Sequence, residues 1–396
     1  MVVRTFTEAS CLLVLALGVV ALDGACGSFK NGGGSGDGGA ESSTGSSGGS
    51  GGSTSSSGSS SGGTSSSGSS SGGTSGSGGG SGSSSGGGSG GSSGSSSGSS
   101  SSGPGNVTNI VLFGGDNLPA TTVDMWTYSG SAWTSVTPSP APPHREESAM
   151  AMLAGTAVLF GGSPSGQGDV IGDTWTWSGS AWTQQHPAHS PPARCSHSMA
   201  TLADTVVLYG GSDGTMLLSD TWTWDGTDWT PHVTAPPPPR EAAMMATLGS
   251  TVMLFGGQGG SDQSTQLSDT WVWNGSTWTQ PSSITQDPGG RNGGAAVSLG
   301  GKVVLFGGED LDGNALNDTW TWNGTDWAED DDLVTSPPGR FAAAAAVLQG
   351  QLILFGGTTN MGNDLLDTWV FTGTEWFQGP VSGPTDRAYS AMIGPG

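Results

Sequence analysis

The stretch that decides the fold runs from Val158 to Thr183. It reads Val158-Leu159-Phe160, Gly161-Gly162, a loop over 163–172, then Asp173-Thr174-Trp175-Thr176-Trp177, Ser178-Gly179 and Trp182-Thr183. Polar and apolar residues alternate at period two through the Trp-bearing segment, the pattern of a half-buried strand. Gly-Gly and Ser-Gly punctuate the strands on either side. Working outward, the same order recurs along the chain. Gly-Gly doublets begin at Gly114, Gly161, Gly210, Gly256, Gly307 and Gly356. An Asp-x-Trp motif follows each, placing Trp126, Trp175, Trp222, Trp271, Trp320 and Trp369 at one phase. After a second Trp strand and a proline-rich link, each unit reaches an arginine: Arg145, Arg194, Arg240, Arg291, Arg340 or Arg387. The period is about 49 residues, and a period of that size marks a repeat architecture. Asp225-Gly226, Asn274-Gly275 and Asn323-Gly324 between strands predict primed hairpin turns with positive φ.

An apolar run, Gly-Gly, a variable loop and an aromatic pair at fixed distance resemble the kelch repeat, over residues 107–394. The resemblance implies four strands per unit and an all-β, six-bladed kelch-type β-propeller over 104–396. The chain enters at the second strand of its first unit, Ile110 to Phe113. It ends in a strand near Tyr389 to Ile393 that has no successor. The C-terminal strand is therefore expected to close the first blade and cover an open sheet edge. The first strand of each unit is expected to lie innermost, where its small residues suit the crowding. Kelch-type propellers include the copper domain of galactose oxidase, whose chemistry needs two Tyr, two His and a Tyr-linked Cys. Here Tyr128 and Tyr209 occupy repeat packing positions and Cys195 stands beside Arg194, so a distant galactose oxidase-like propeller without its copper site is expected.

The repeat commits most of the chemically expressive residues. All 16 Trp fall on repeat phases, which assigns them to packing. The six arginines share one phase and the six Asp of Asp-x-Trp another, so Arg–Asp pairing or Arg stacking on Trp is expected and a single catalytic arginine is not. Met150, Met199, Met245 and Met392 share a phase as core filler.

The ends of the chain have a different character. Residues 1–25 read as an export signal: Arg4, an apolar run from Cys11 to Leu22, then Asp23-Gly24-Ala25 before Cys26. The run is too short to span a bilayer. Its end resembles a bacterial lipoprotein signal, which implies lipidation of Cys26. Asp23 stands where that family carries an aliphatic residue, so cleavage by an ordinary signal peptidase is the alternative. Residues 26–103 are a disordered Gly/Ser/Thr-rich tether, with a root-mean-square span of roughly 45 Å over its Gly/Ser part. Export places the folded part on the outer surface of the cell envelope, or free outside it.

A formal net charge of -23, with 9 Lys and Arg against 32 Asp and Glu, excludes nucleic acid as a partner. Three cysteines exclude a disulfide framework. The second-to-third-strand loops and the links between units are long and varied, and they emerge on one face, which is the expected binding surface. On that face Glu309, Asp310 and Asp312 lie in one loop, and Glu329, Asp330, Asp331 and Asp332 begin the link from the same unit. They are candidate ligands for calcium or for a basic partner, with solvated charge as the bland alternative. His144, His186, His189, His197 and His232 are scattered and predict no metal site. The leading expectation is a non-catalytic module, tethered to the envelope, that recognises a protein or a glycan. A carbohydrate-active enzyme on a propeller scaffold and a passive envelope spacer are the alternatives. They separate by loop swaps that leave the spacer indifferent, and by turnover that one point substitution abolishes.

Overall fold

The computed structural model describes residues 106–116, 124–165, 168–260 and 264–395. The expected export signal, Cys26 and the tether lie outside the described residues. All regular structure described is β. The first unit supplies β1 (Ile110–Phe113), β2 (Met125–Tyr128) and β3 (Trp133–Val136). The second supplies β4 (Ala149–Leu153), β5 (Thr156–Phe160), β6 (Thr174–Trp177) and β7 (Trp182–Gln185). The third supplies β8 (Ser198–Leu202), β9 (Thr205–Tyr209), β10 (Thr221–Trp224) and β11 (Trp229–His232). The fourth opens on the short β12 (Arg240–Glu241), followed by β13 (Met244–Leu248) and β14 (Thr251–Phe255). It continues with β15 (Gln258–Gly259), β16 (Thr265–Gln266), β17 (Thr270–Trp273) and β18 (Trp278–Thr279). The fifth holds β19 (Ala295–Leu299), β20 (Lys302–Phe306), β21 (Thr319–Trp322) and β22 (Trp327–Glu329). The sixth holds β23 (Ala344–Leu348), β24 (Gln351–Phe355), β25 (Thr368–Phe371) and β26 (Trp376–Gln378), and the chain ends in β27 (Ala391–Ile393).

These strands make six four-stranded antiparallel sheets and one three-stranded ladder, β12-β15-β16. The sheet that holds the first unit takes its innermost strand from the other end of the chain, with Leu112 opposite Met392 and Phe113 opposite Ala391. Innermost strands touch in the cyclic order β4, β8, β13, β19, β23, β27 and back to β4. Just before these strands, Glu147, Ser196, Ala242, Gly293, Ala342 and Tyr389 all have φ between 50° and 61°. Each of their N–H groups donates to the carbonyl of its counterpart in the preceding unit, and the N–H of Glu147 donates to Tyr389 at 3.0 Å. Five of the six are not glycine, so left-handed backbone is held there against its intrinsic cost by the hydrogen bonds that link the units.

Three further devices fasten the sheets, each traceable to the repeat. The first glycine of a doublet has positive φ, and a Cβ on Gly210 would lie 2.6 Å from the Arg240 carbonyl oxygen of the next unit. The second glycine donates its N–H to the same carbonyl, as Gly211 does to Arg240 at 2.9 Å. The arginine side chain is buried and turns back into its own sheet. Arg194 donates to Asp220 through Nη1 and Nη2, both at 2.7 Å, and to the Gly210 carbonyl at 2.9 Å. The expected Arg–Asp pairing therefore holds in all six units, with Arg387 reaching Asp124. The Trp opening each fourth strand is buried and donates its indole N–H to the preceding sheet, as Trp229 does to Thr174 Oγ1 at 3.0 Å. The same Trp packs at 4.9 to 5.5 Å on the aromatic before a doublet and on the last aromatic of its own third strand, as with Phe160 and Trp224 around Trp229.

The hairpin turns differ from the primed turns expected of Asn-Gly and Asp-Gly. Four residues separate the strands, and only the glycine has positive φ, as at Gly275 (96°). Asn274 stays out of the left-handed region because its side-chain oxygen accepts the N–H groups of Ser276 and Thr277, both at 2.9 Å. The side chain does the work that a second positive φ would do in a two-residue turn.

Candidate functional site

Two positions beside the invariant scaffold vary from unit to unit. The residue after each arginine is Glu146, Cys195, Glu241, Asn292, Phe341 or Ala388. The residue after each Gly-Gly is Asp116, Ser163, Ser212, Gln258, Glu309 or Thr358. Backbone bridges pair them within the sheets as Glu146–Ser163, Cys195–Ser212, Asn292–Glu309 and Phe341–Thr358, and Glu241–Gln258 pair in β12-β15. The N–H of Asp116 donates to Ala388 at 3.2 Å. Third rungs extend four of these ladders through Leu217, Gln266, Ala315 and Asp364. Every unit thus carries a short ladder of constant backbone and changing side chain, set around the left-handed ring on the face where the long loops emerge. Recognition chemistry placed there is held by a rigid frame.

The side chains of this layer are acidic. Glu146, Glu147 and Glu241 are 5, 7 and 5% exposed. Burial, and then the charges of Glu147, Asp116 and Asp364, push Glu146 up to about 8. Burial, and then the charge of Glu147, push Glu241 up to about 8. Burial raises Glu147 to about 7 against a 2.9 Å hydrogen bond donated by Ser196 Oγ. Burial also raises Glu309. Tyr389 is raised by burial and then by Glu147, Asp116, Glu309 and Glu146, so these groups share one neighbourhood. His197 adjoins them, packed edge-on against Phe160 at 5.5 Å, and burial lowers it to about 3, which leaves it neutral.

Two cavities flank the layer. Along the axis, innermost strands enclose about 460 Å³, with Met150, Met152, Met199, Met245 and Met392 on one side and Ala296 and Ala345 on the other. The Met phase read as core filler is buried in the hydrophobic clusters between the sheets, and its members also line this cavity. On the loop face, a polar cavity of about 310 Å³ is lined by Gln258, Gln266, Glu309, Asp310, Leu311, Asp312 and Gly313.

The structure divides the acidic group expected to act together. Glu309 sits on the inner ladder. Asp310 closes its own loop, accepting from the N–H groups of Asp312 (3.0 Å) and Asn314 (2.8 Å). Asp330 lies at the end of the outermost strand, its N–H donating 2.8 Å to Thr319, beside the exposed Asp331 and Asp332. Inner and outer strands of a four-stranded sheet are about 14 Å apart, so one face carries both groups without joining them. Among the described residues no three His, Cys, Asp or Glu side chains form a group that could hold a metal ion. His189 pairs with Asp228 at 2.7 Å and His232 with Thr223 at 2.9 Å, in separate places. Glu146, Glu147 and Glu241 escaped the sequence reading because they touch the arginine phase. Their signal was an acid directly after Arg in only two of six units.

A family model described as the KLHDC2/KLHL20/DRC7 Kelch-repeats domain matches residues 180–327 and 227–393, which together cover more than half of the chain. No curated protein matches it.

Proposed function

Because the chain belongs to the kelch-repeat family, we propose that it is a non-catalytic binding module whose six sheets are the blades of a closed β-propeller, recognising a protein partner through the loop face. The observation that carries this reading is the ladder layer, where backbone repeats and side chain does not. A passive spacer has no use for the buried Glu146 and Glu241 and the half-buried Glu309, which oppose folding at neutral pH. Immobilised full-length chain is expected to retain a discrete partner from an envelope and culture extract. A variant with Glu146, Glu241, Glu309 and Phe341 replaced by Ser, Gln, Gln and Ser is expected to lose it with its circular dichroism unchanged. Equal retention by both chains, or none by either, overturns the reading.

Export and tethering complete the proposal, with the apolar run before Cys26 and the Gly/Ser stretch as their support. Cys195 is fully buried and disulfide-bonded, which favours an oxidising compartment. The other cysteines of the chain are Cys11 and Cys26. A Cys26 engaged in that bond carries no lipid, so the intact mass of the exported chain, before and after reduction, separates a lipid anchor from a disulfide.

A further inference from the structure

The cavity between the fourth and fifth sheets is walled by carboxylates and amides, and two acceptors beside it, on Glu241 and Gln266, have no donor. Glu241, Gln258 and Gln266 are register partners across β12-β15-β16. Directly opposed residues of an antiparallel ladder project to one face, so the three side chains form a row. Gln258 and Gln266 line the 310 Å³ cavity, and Glu309, Asp310 and Asp312 form its opposite wall. Within the row, Oε2 of the buried Glu241 and Oε1 of Gln266 are shielded from solvent and accept no hydrogen bond. A buried acceptor left unmatched costs about 1–3 kcal/mol, and more when charged.

No cation of the described chain can supply the missing donors. All six arginines are committed to their own aspartates. Lys302 is exposed at the far end of β20 from the cavity. Resting on the binding-module reading, we propose that this cavity receives an arginine side chain of the protein partner, its guanidinium donating to Glu241, Gln266 and Glu309. A guanidinium carries five N–H donors and no acceptor, in a planar fork that matches a carboxylate. Sugar hydroxyls are uncharged and bring acceptors of their own to a wall already rich in them. The volume is at the low end for a ligand site, which suits one side chain and not an extended molecule.

The test titrates the full-length chain with N-acetyl-arginine amide by calorimetry. Parallel arms use the neutral citrulline analogue, N-acetyl-lysine amide and calcium chloride. Saturable one-to-one binding of the arginine probe is expected, weaker by about tenfold or more for the citrulline and lysine probes. Glu241→Gln and Glu309→Gln should each weaken it by about tenfold, while Asp331→Asn, in the turn that follows the outermost strand, leaves it unchanged. Thermal unfolding establishes that each variant is folded, and Gln266→Leu replaces Glu241→Gln if that variant is not. Failure to saturate by ~10 mM overturns the proposal. So does equal binding of the citrulline or lysine probe, or stoichiometric calcium binding that excludes the arginine probe. If the arginine arm fails while the ladder variant still loses its partner, this proposal falls and the binding module stands. If the ladder variant also retains its partner, both fall.

Discussion

The sheet that joins the two ends of the chain and the five built from continuous sequence share one register but not one set of polar fastenings. In the continuous sheets, Arg145, Arg194, Arg240, Arg291 and Arg340 each grip both oxygens of their aspartate. Arg387 touches one oxygen of Asp124, at 2.6 Å, and spends its other contacts on Thr385 and Gly114. The first Trp of each continuous third strand donates to that aspartate at 2.6 to 2.8 Å. Trp126 in the joining sheet has a buried indole N–H with no partner. Where the other units present a threonine to the next sheet's Trp, the first has Met125, and Trp182 meets its sulfur at 3.3 Å. The comparison teaches that apolar register and the left-handed ring hold a sheet in place, and that the Arg–Asp–Trp clamp adds rigidity beyond that. The joining sheet is the expected site of first opening.

The largest effect should come from removing that joint. Ending the chain at Asp386 deletes Arg387 and β27, uncovers the edge of β1 and breaks the ring between Ala342 and Glu147. Calorimetry is expected to show loss of the single cooperative transition, not a mere shift; retention of one sharp transition would show that the ends are not structurally joined. Next, Arg194→Met leaves Asp220 partly buried without its partner and should cost about 3–5 kcal/mol, whereas Arg387→Met should cost less, because one oxygen contact is lost and not two. Equal destabilisation by denaturant titration would mean that the clamp works equally in both regions.

The architecture was legible because its determinants are local and repeated: the doublet, the Asp-x-Trp motif and the arginine each recur at a fixed phase, and each has one contact that explains it. The candidate site was legible only as a face. Glu309 could be placed on it, but Asp330 to Asp332 could not be separated from Glu309, because a sequence gives order along the chain and not distance across a sheet. Glu146 and Glu241 were hidden by a different cause. A variable residue beside an invariant one reads as noise until the ladder shows that its backbone is held identically in every unit. Likewise the Asn-Gly turns announced a reversal, but nothing local told a two-residue primed turn from a four-residue loop capped by Asn274.

The acidic layer and the clamps also differ in their response to pH. The raised Glu146, Glu147 and Glu241 bind protons in the folded chain that the unfolded chain has released, so their stability is full below the ordinary glutamate range and is lost as pH rises through about 7 to 8. Asp173, Asp220, Asp269 and Asp367 run the other way. Burial would raise them, but hydrogen bonds and charge from their arginines hold them below the ordinary range, so their stability is lost as pH falls through those lowered values. The melting temperature should therefore peak near pH 5, and Glu241→Gln should raise it at pH 8 by about 2–4 °C for each kcal/mol relieved, with little change at pH 5. A melting temperature that climbs from pH 5 to pH 8 would contradict the burial of these groups.

The smallest effect tests the comparison by repairing it. Met125→Thr would give the joining sheet the hydroxyl that Thr174, Thr221, Thr270, Thr319 and Thr368 offer to the Trp of the next unit at 2.9 to 3.1 Å. A neutral hydrogen bond contributes about 0.5–1.5 kcal/mol. Against it stands the loss of a buried, flexible thioether, since Met125 is fully buried among Val111, Phe113 and Trp182. Losing a large core side chain for a smaller one costs about 2–5 kcal/mol when the space stays empty, and that exceeds the bond gained. Met125→Thr is therefore expected to destabilise modestly, and pairing it with Val111→Ile, which refills part of the volume, to recover most of the loss. Stabilisation by Met125→Thr alone would show that the missing polar bond, and not the packing that replaced it, sets the strength of the joint.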